Sequence, residues 1–87
     1  MQKIDIEVKN KTGLHARPAS IFVKETLKYK SDIKVVKNNK EYNAKSIISV
    51  LGMSASMGDT ITLLISGDDE KKAVDALKEL FESGFGE

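Results

Sequence analysis

The sequence predicts an α+β domain in which helices cover one face of a β-sheet, in the element order βαββαβα. Two observations carry that prediction. Apolar residues alternate with polar ones near both ends of the chain, at Ile4, Ile6 and Val8 and again at Ile61, Leu63 and Ile65. Elsewhere the apolar spacing widens to the helical period, at Ala19, Phe22, Val23 and Leu27 and at Ala73, Val74, Leu77, Leu80 and Phe81. Strands with one apolar face and helices with one apolar stripe have to bury those surfaces against each other.

The first strand, around Ile4, Ile6 and Val8, is broken by Asn10-Lys11-Thr12-Gly13. A helix from Ala16 to about Tyr29 follows. Pro18 lacks an N–H, so it fits only in the first turn, and the helix must begin within a residue or two of His15 or Ala16. Ile33, Val35 and Val36 mark a second strand, Asn38-Asn39 a hairpin turn, and Glu41-Tyr42-Asn43 a short return strand. Ser46 and Gly52 bracket Ile47 to Leu51 as the N-cap and glycine stop of one or two helical turns. Met53 to Gly58 is a small-residue connection leading to the strand at Ile61, Leu63 and Ile65. Gly67-Asp68-Asp69-Glu70 reads as the cap of the last helix.

The 87 residues contain no repeat, linker or low-complexity tract, so a single domain over 1–87 is expected. A chain of this size buries somewhat over ~60% of its unfolded surface, which leaves little room for an enclosed cavity. Chemistry is expected at the surface. The chain has no cysteine, which excludes a disulfide framework and thiolate metal sites, and one histidine, which excludes a histidine-cluster zinc site. No metal or other cofactor is expected. Neither a signal peptide nor a membrane-spanning stretch is visible, so the expected setting is cytoplasmic.

A formal charge of +1 hides an asymmetry: residues 1–50 hold eleven basic and five acidic side chains, the remainder three basic and eight acidic. A basic surface steers acidic partners. Nucleic acid is not the expected partner, because Phe22, Tyr29 and Tyr42 form no recognisable RNA- or DNA-binding pattern.

Thr12-Gly13-Leu14-His15-Ala16-Arg17-Pro18-Ala19 is the informative segment. It places His15 at a helix mouth, where the first N–H groups lack intrahelical partners. The helix dipole adds partial positive charge there and Arg17 a full one. An anion site holding a nucleophile results, and a neutral imidazole can attack a phosphoryl group whose charge the helix end then holds.

Gly13-Leu14-His15-Ala16-Arg17-Pro18-Ala19 resembles the active-site signature of HPr, the histidine-containing phosphocarrier family of the bacterial phosphoenolpyruvate-dependent sugar phosphotransferase system. Asn43-Ala44-Lys45-Ser46-Ile47 resembles its regulatory serine segment, and Gly67-Asp68-Asp69-Glu70 the start of its last helix. The likeness spans essentially the whole chain. It implies an open-faced β-sandwich, with a four-stranded antiparallel sheet and three helices on one face. It further implies that His15 takes a phosphoryl group from enzyme I on Nδ1 and passes it to IIA domains of sugar permeases. Arg17 would stabilise the phosphate, and the protein would be a covalent carrier, not an enzyme with its own turnover.

Lys45-Ser46-Ile47 looks like the Gram-positive-type version. There an ATP-dependent HPr kinase/phosphorylase modifies the serine matching Ser46, and the product acts as co-repressor for a catabolite-control transcription factor. A phosphoserine brings roughly −1.5 to −2 charges to a face meant for acidic partners, which should slow delivery from enzyme I. Ser20, Ile21 and Lys24, on the helix side away from Phe22 and Leu27, together with Ile47, Ile48 and Leu51, form the expected docking face of a monomer. This chain reads Ser46-Ile47-Ile48-Ser49 and Leu51-Gly52-Met53-Ser54 where family members often read Ser-Ile-Met-Gly and Met-Ser-Leu-Gly. A carrier role in a nitrogen-related phosphotransfer chain shares the histidine motif; the Lys45-Ser46-Ile47 segment favours sugar transport.

Overall fold

Alternation places one side chain of every strand pair on the same face, and the observed registers join apolar to apolar. The computed structural model describes residues 1–87. Its strands are β1 (Gln2–Glu7), β2 (Asp32–Lys37), β3 (Lys40–Asn43) and β4 (Thr60–Ser66), and its helices α1 (Ala16–Thr26), α2 (Ile47–Met53) and α3 (Glu70–Glu82). The strands form one antiparallel sheet in the order β1-β4-β2-β3. Ile4 stands opposite Leu63, Ile6 opposite Ile61, and Val35 lies between Leu63 and Tyr42. The three helices cover that face, as expected for an HPr-like βαββαβα fold.

The core is continuous. Val8, Phe22, Val35, Val50, Ile61, Leu63, Ile65 and Leu77 are fully buried within one cluster. Phe81 meets Phe22 edge-on at 5.3 Å between ring centroids and Phe85 at 4.8 Å, an arrangement that suits the ring quadrupoles. Phe85 belongs to a short 3₁₀ turn, Gly84–Gly86, which periodicity did not reveal. The hairpin expectation at Asn38-Asn39 is met, with both residues at positive φ (52° and 65°) as a tight two-residue turn requires.

Several expected boundaries move. Helix α1 stops at Thr26 rather than near Tyr29, because the Thr26 hydroxyl turns to Val23 O (2.7 Å) and Ala44 O (3.1 Å). Leu27 therefore leaves the buried stripe and is 60% exposed. Gly52 does not end α2. The helix runs on to Met53, and Ser54 takes the left-handed C-cap conformation (φ 54°, ψ 42°). Asp69 occupies the N-cap of α3 but its side chain does not cap it. That carboxylate instead accepts from the N–H groups of Lys30 (2.9 Å) and Ser31 (3.0 Å) and from the Ser31 hydroxyl, clamping the start of β2. Glu70 reaches back to accept from Gly67 N–H at 3.1 Å, which ties the preceding turn to the first residue of α3 without capping the helix.

Candidate functional site

The loop before α1 is built around a close backbone approach. Gly13 has φ +64°, and a Cβ there would lie 2.4 Å from Ala55 O. The next residue, Leu14, is buried and donates its N–H to that same carbonyl at 2.9 Å. Chain passing Gly13 and Leu14 is thus pinned to the Ser54–Asp59 connection, and His15 emerges into solvent directly afterwards.

His15 is the N-cap of α1 (φ −92°, ψ −167°) and its side chain makes no cap hydrogen bond. Its carbonyl accepts the first helical bond, from Ala19 N–H at 2.7 Å. The N–H groups of Ala16 and Arg17 have no acceptor in the helix, and Pro18, buried in the first turn, has none to offer. Two free backbone donors, the positive helix end and an exposed guanidinium therefore meet beside an exposed imidazole. No ion pair engages Arg17.

Thr12, His15, Ala16, Arg17, Pro18 and Glu87 line an open cleft of about 450 Å³. Glu87 was not anticipated. Its carboxylate accepts from the Thr12 hydroxyl at 2.7 Å and from Asn10 Nδ2 at 3.3 Å. The Thr12 hydrogen bond first, then those of Asn10 and the charge of Arg17, hold this carboxyl below the usual glutamate range. Asn10 also donates to Gly13 O at 2.7 Å, stiffening the loop from beneath. Its Oδ1 is buried and unpaired. No local sequence signal marks a residue as remote along the chain as Glu87.

Ser46 caps α2 as expected, its hydroxyl accepting from Ser49 N–H at 3.3 Å. Ser49 in turn accepts from Asn43 N–H at 2.9 Å, tying the first turn of α2 to the end of β3. The half-buried Lys45 donates its ammonium to Tyr29 O (2.7 Å), just beyond the C-terminus of α1, where a cation complements the dipole. Among the expected docking residues, Ile48 is 82% exposed while Ile47 and Leu51 are each 39% exposed. Lys24 is exposed and Ser20 half-buried. Ile21 departs from expectation, since it packs against the core and offers only part of its side chain. Leu27, which the spacing assigned to the buried stripe, and Met57 (58% exposed) are further apolar surface residues. No helix is long and apolar enough to cross a membrane.

A family model described as "PTS HPr component phosphorylation site" matches residues 2–83. The chain is 40% identical over 79 residues to the phosphocarrier protein HPr of Mycoplasma capricolum, covering 91% of this chain and 89% of that one. Its structure matches the crystal structure of HPr from Thermoanaerobacter tengcongensis with a TM-score of 0.98 and 50% identity, over 100% of this chain and 98% of the other. It also matches Crh, described as a catabolite repression protein of Bacillus subtilis, with a TM-score of 0.76 and 38% identity over 97% of each chain. Spanning the fold from β1 through α3, these likenesses show that the chain belongs to the HPr family, the non-catalytic phosphocarrier proteins of the phosphotransferase system.

Proposed function

We propose that His15 is the phosphoryl acceptor and donor of this carrier. The observation that carries the reading is an exposed imidazole at the mouth of α1, beside the free N–H groups of Ala16 and Arg17. The Nδ1 lone pair attacks the phosphorus held by enzyme I. The bond to the donor breaks, and the donor keeps its electron pair. The charge arriving on His15 meets the helix end and the Arg17 guanidinium. Transfer to a IIA domain of a sugar permease runs the same step in the opposite sense. Because nothing encloses the site, a partner can reach the phosphate from outside, as a carrier needs.

Ser46 is the regulatory site in this reading, modified by an ATP-dependent HPr kinase/phosphorylase. The product would serve a catabolite-control transcription factor, a role supported by the likeness to a catabolite repression protein. This is the Gram-positive type of the family, acting in the cytoplasm as a monomer. Ser20, Ile21, Lys24, Ile47, Ile48 and Leu51 form the docking face, with Ile48 at its centre because it is the most exposed of them.

Incubation with enzyme I and phosphoenolpyruvate adds one acid-labile phosphate, and His15→Ala abolishes it. Label retained in that variant overturns the assignment. With HPr kinase and ATP the phosphate is acid-stable and is lost in Ser46→Ala. Unchanged labelling there removes the regulatory reading while leaving the carrier reading intact.

A further inference from the structure

Lys37 is the last residue of β2, yet its ammonium serves the main chain of another element. Nζ lies 3.3 Å from Met53 O and 3.1 Å from Ser54 O, the carbonyls at the C-terminal end of α2. It also pairs with Asp59 at 3.4 Å, and its side chain is only 17% exposed. Helix α2 has no basic residue in its own last turn. The negative end of its dipole is met by this cation from the sheet.

The same ammonium holds both ends of the Ser54–Asp59 connection, because Asp59 is itself fastened to Ser56 N–H at 2.8 Å. That connection underlies the histidine loop. Ala55 O accepts from Leu14 N–H at 2.9 Å, while Val8 exchanges two 2.8 Å hydrogen bonds with Gly58 and Asp59. At the other end, Ser54 N–H closes the last turn of α2 on Leu51 O at 3.2 Å. One side chain thus stands between the exposed apolar face of α2 and the loop that presents His15.

We infer that Lys37 is a positioning residue for partner docking: it sets α2 in register with the His15 loop, so that one partner surface meets both together. The inference rests on the carrier reading of His15. Replacing the ammonium by an apolar side chain leaves two carbonyls and a carboxylate facing each other without a cation. The last turn of α2 then loosens, and a partner has to order it on binding. Such a cost weakens association and leaves the chemical step alone.

The test is phosphoryl transfer from phosphorylated enzyme I to Lys37→Met and Lys37→Arg, with amide hydrogen exchange on the same proteins. Lys37→Met should raise the half-saturating concentration of the carrier about three- to ten-fold, with kcat unchanged. Lys37→Arg should restore it, since a guanidinium reaches the same oxygens. Exchange in Lys37→Met should quicken at Ser54 and Leu14 while the Ile33 and Leu63 amides stay protected. An unchanged KM, a fall confined to kcat, failure of the arginine to rescue, or exchange quickened equally through the sheet overturns the inference. If Lys37→Met does not fold alone, the comparison is made with Ser54→Gly in every protein, since glycine stabilises that left-handed position. Should even the unaltered chain accept no phosphate, the carrier reading falls. The exchange pattern still decides whether Lys37 joins α2 to the loop.

Discussion

Gly13 decides where the histidine stands. With φ at +64° and Ala55 O only 2.4 Å from where a Cβ would sit, any side chain has to push apart the loop and the Ser54–Asp59 connection. The left-handed backbone alone costs a non-glycine residue about 1–2 kcal/mol, and a clash with backbone adds to it. Gly13→Ala is therefore expected to lose about 2 kcal/mol or more in urea denaturation, and to slow phosphate uptake by His15. A variant as stable as the parent would show that the approach can open freely. The helix mouth itself was legible from Pro18, which has only one tolerable place, and from His15 and Arg17 on either side of Ala16. Glu87 was not, because it meets Thr12 across a separation of 75 residues and periodicity reports only on near neighbours. The role of Lys37 is illegible for the same reason: nothing near it in sequence shows that its ammonium ends at α2.

At the level of elements, strands and helix starts were legible, whereas the C-terminal ends of α1 and α2 were not. Alternation fixes a strand's face, and a sheet that buries one face leaves a single acceptable register, as Ile6 opposite Ile61 and Val35 opposite Leu63 illustrate. Helix ends answer to tertiary partners. Helix α1 ends where the Thr26 hydroxyl finds Ala44 O, and Leu27 consequently turns outward. Helix α2 ignores Gly52, which is exposed and has no close neighbour, and ends at Ser54 where Lys37 can reach its carbonyls. The stop residue is thus a serine held at φ 54°, a conformation glycine adopts without penalty. Ser54→Gly is expected to stabilise the protein by about 0.5–1 kcal/mol, because relief of the left-handed strain exceeds the added chain entropy. A lower urea midpoint in that variant would mean the serine side chain contributes to the cap.

Across the whole molecule, four of the joints between elements are made by carboxylates, and this gives stability a definite pH dependence. Asp59 is held below its usual range first by Ser56 N–H and also by Lys37. Asp69 is held low first by the Ser31 hydroxyl, Glu70 by Gly67 N–H, and Glu87 by Thr12. Respectively they fasten the connection before β4, the start of β2 to α3, the first turn of α3, and the histidine loop to the chain end. A carboxyl whose folded pKa is depressed adds stability that is complete above its unfolded pKa, near ~4, and is lost as pH falls through the folded value. Tyr29 works in the opposite direction. Burial first, and its hydrogen bond to Glu25 next, raise its pKa above 10.0, so its contribution is present at neutral pH and is lost as pH rises through the folded value. The urea midpoint should accordingly stay level from neutral pH down to about 5 and fall below about 4. Asp69→Asn keeps an acceptor for the β2 backbone but cannot titrate, so its midpoint should lie below the parent's at pH 7 and the gap should narrow as the pH falls below about 4 towards the depressed folded value. Parallel curves for the two proteins over that range would show that the Asp69 clamp does not contribute to the acid transition, and would leave it to the other three carboxylates.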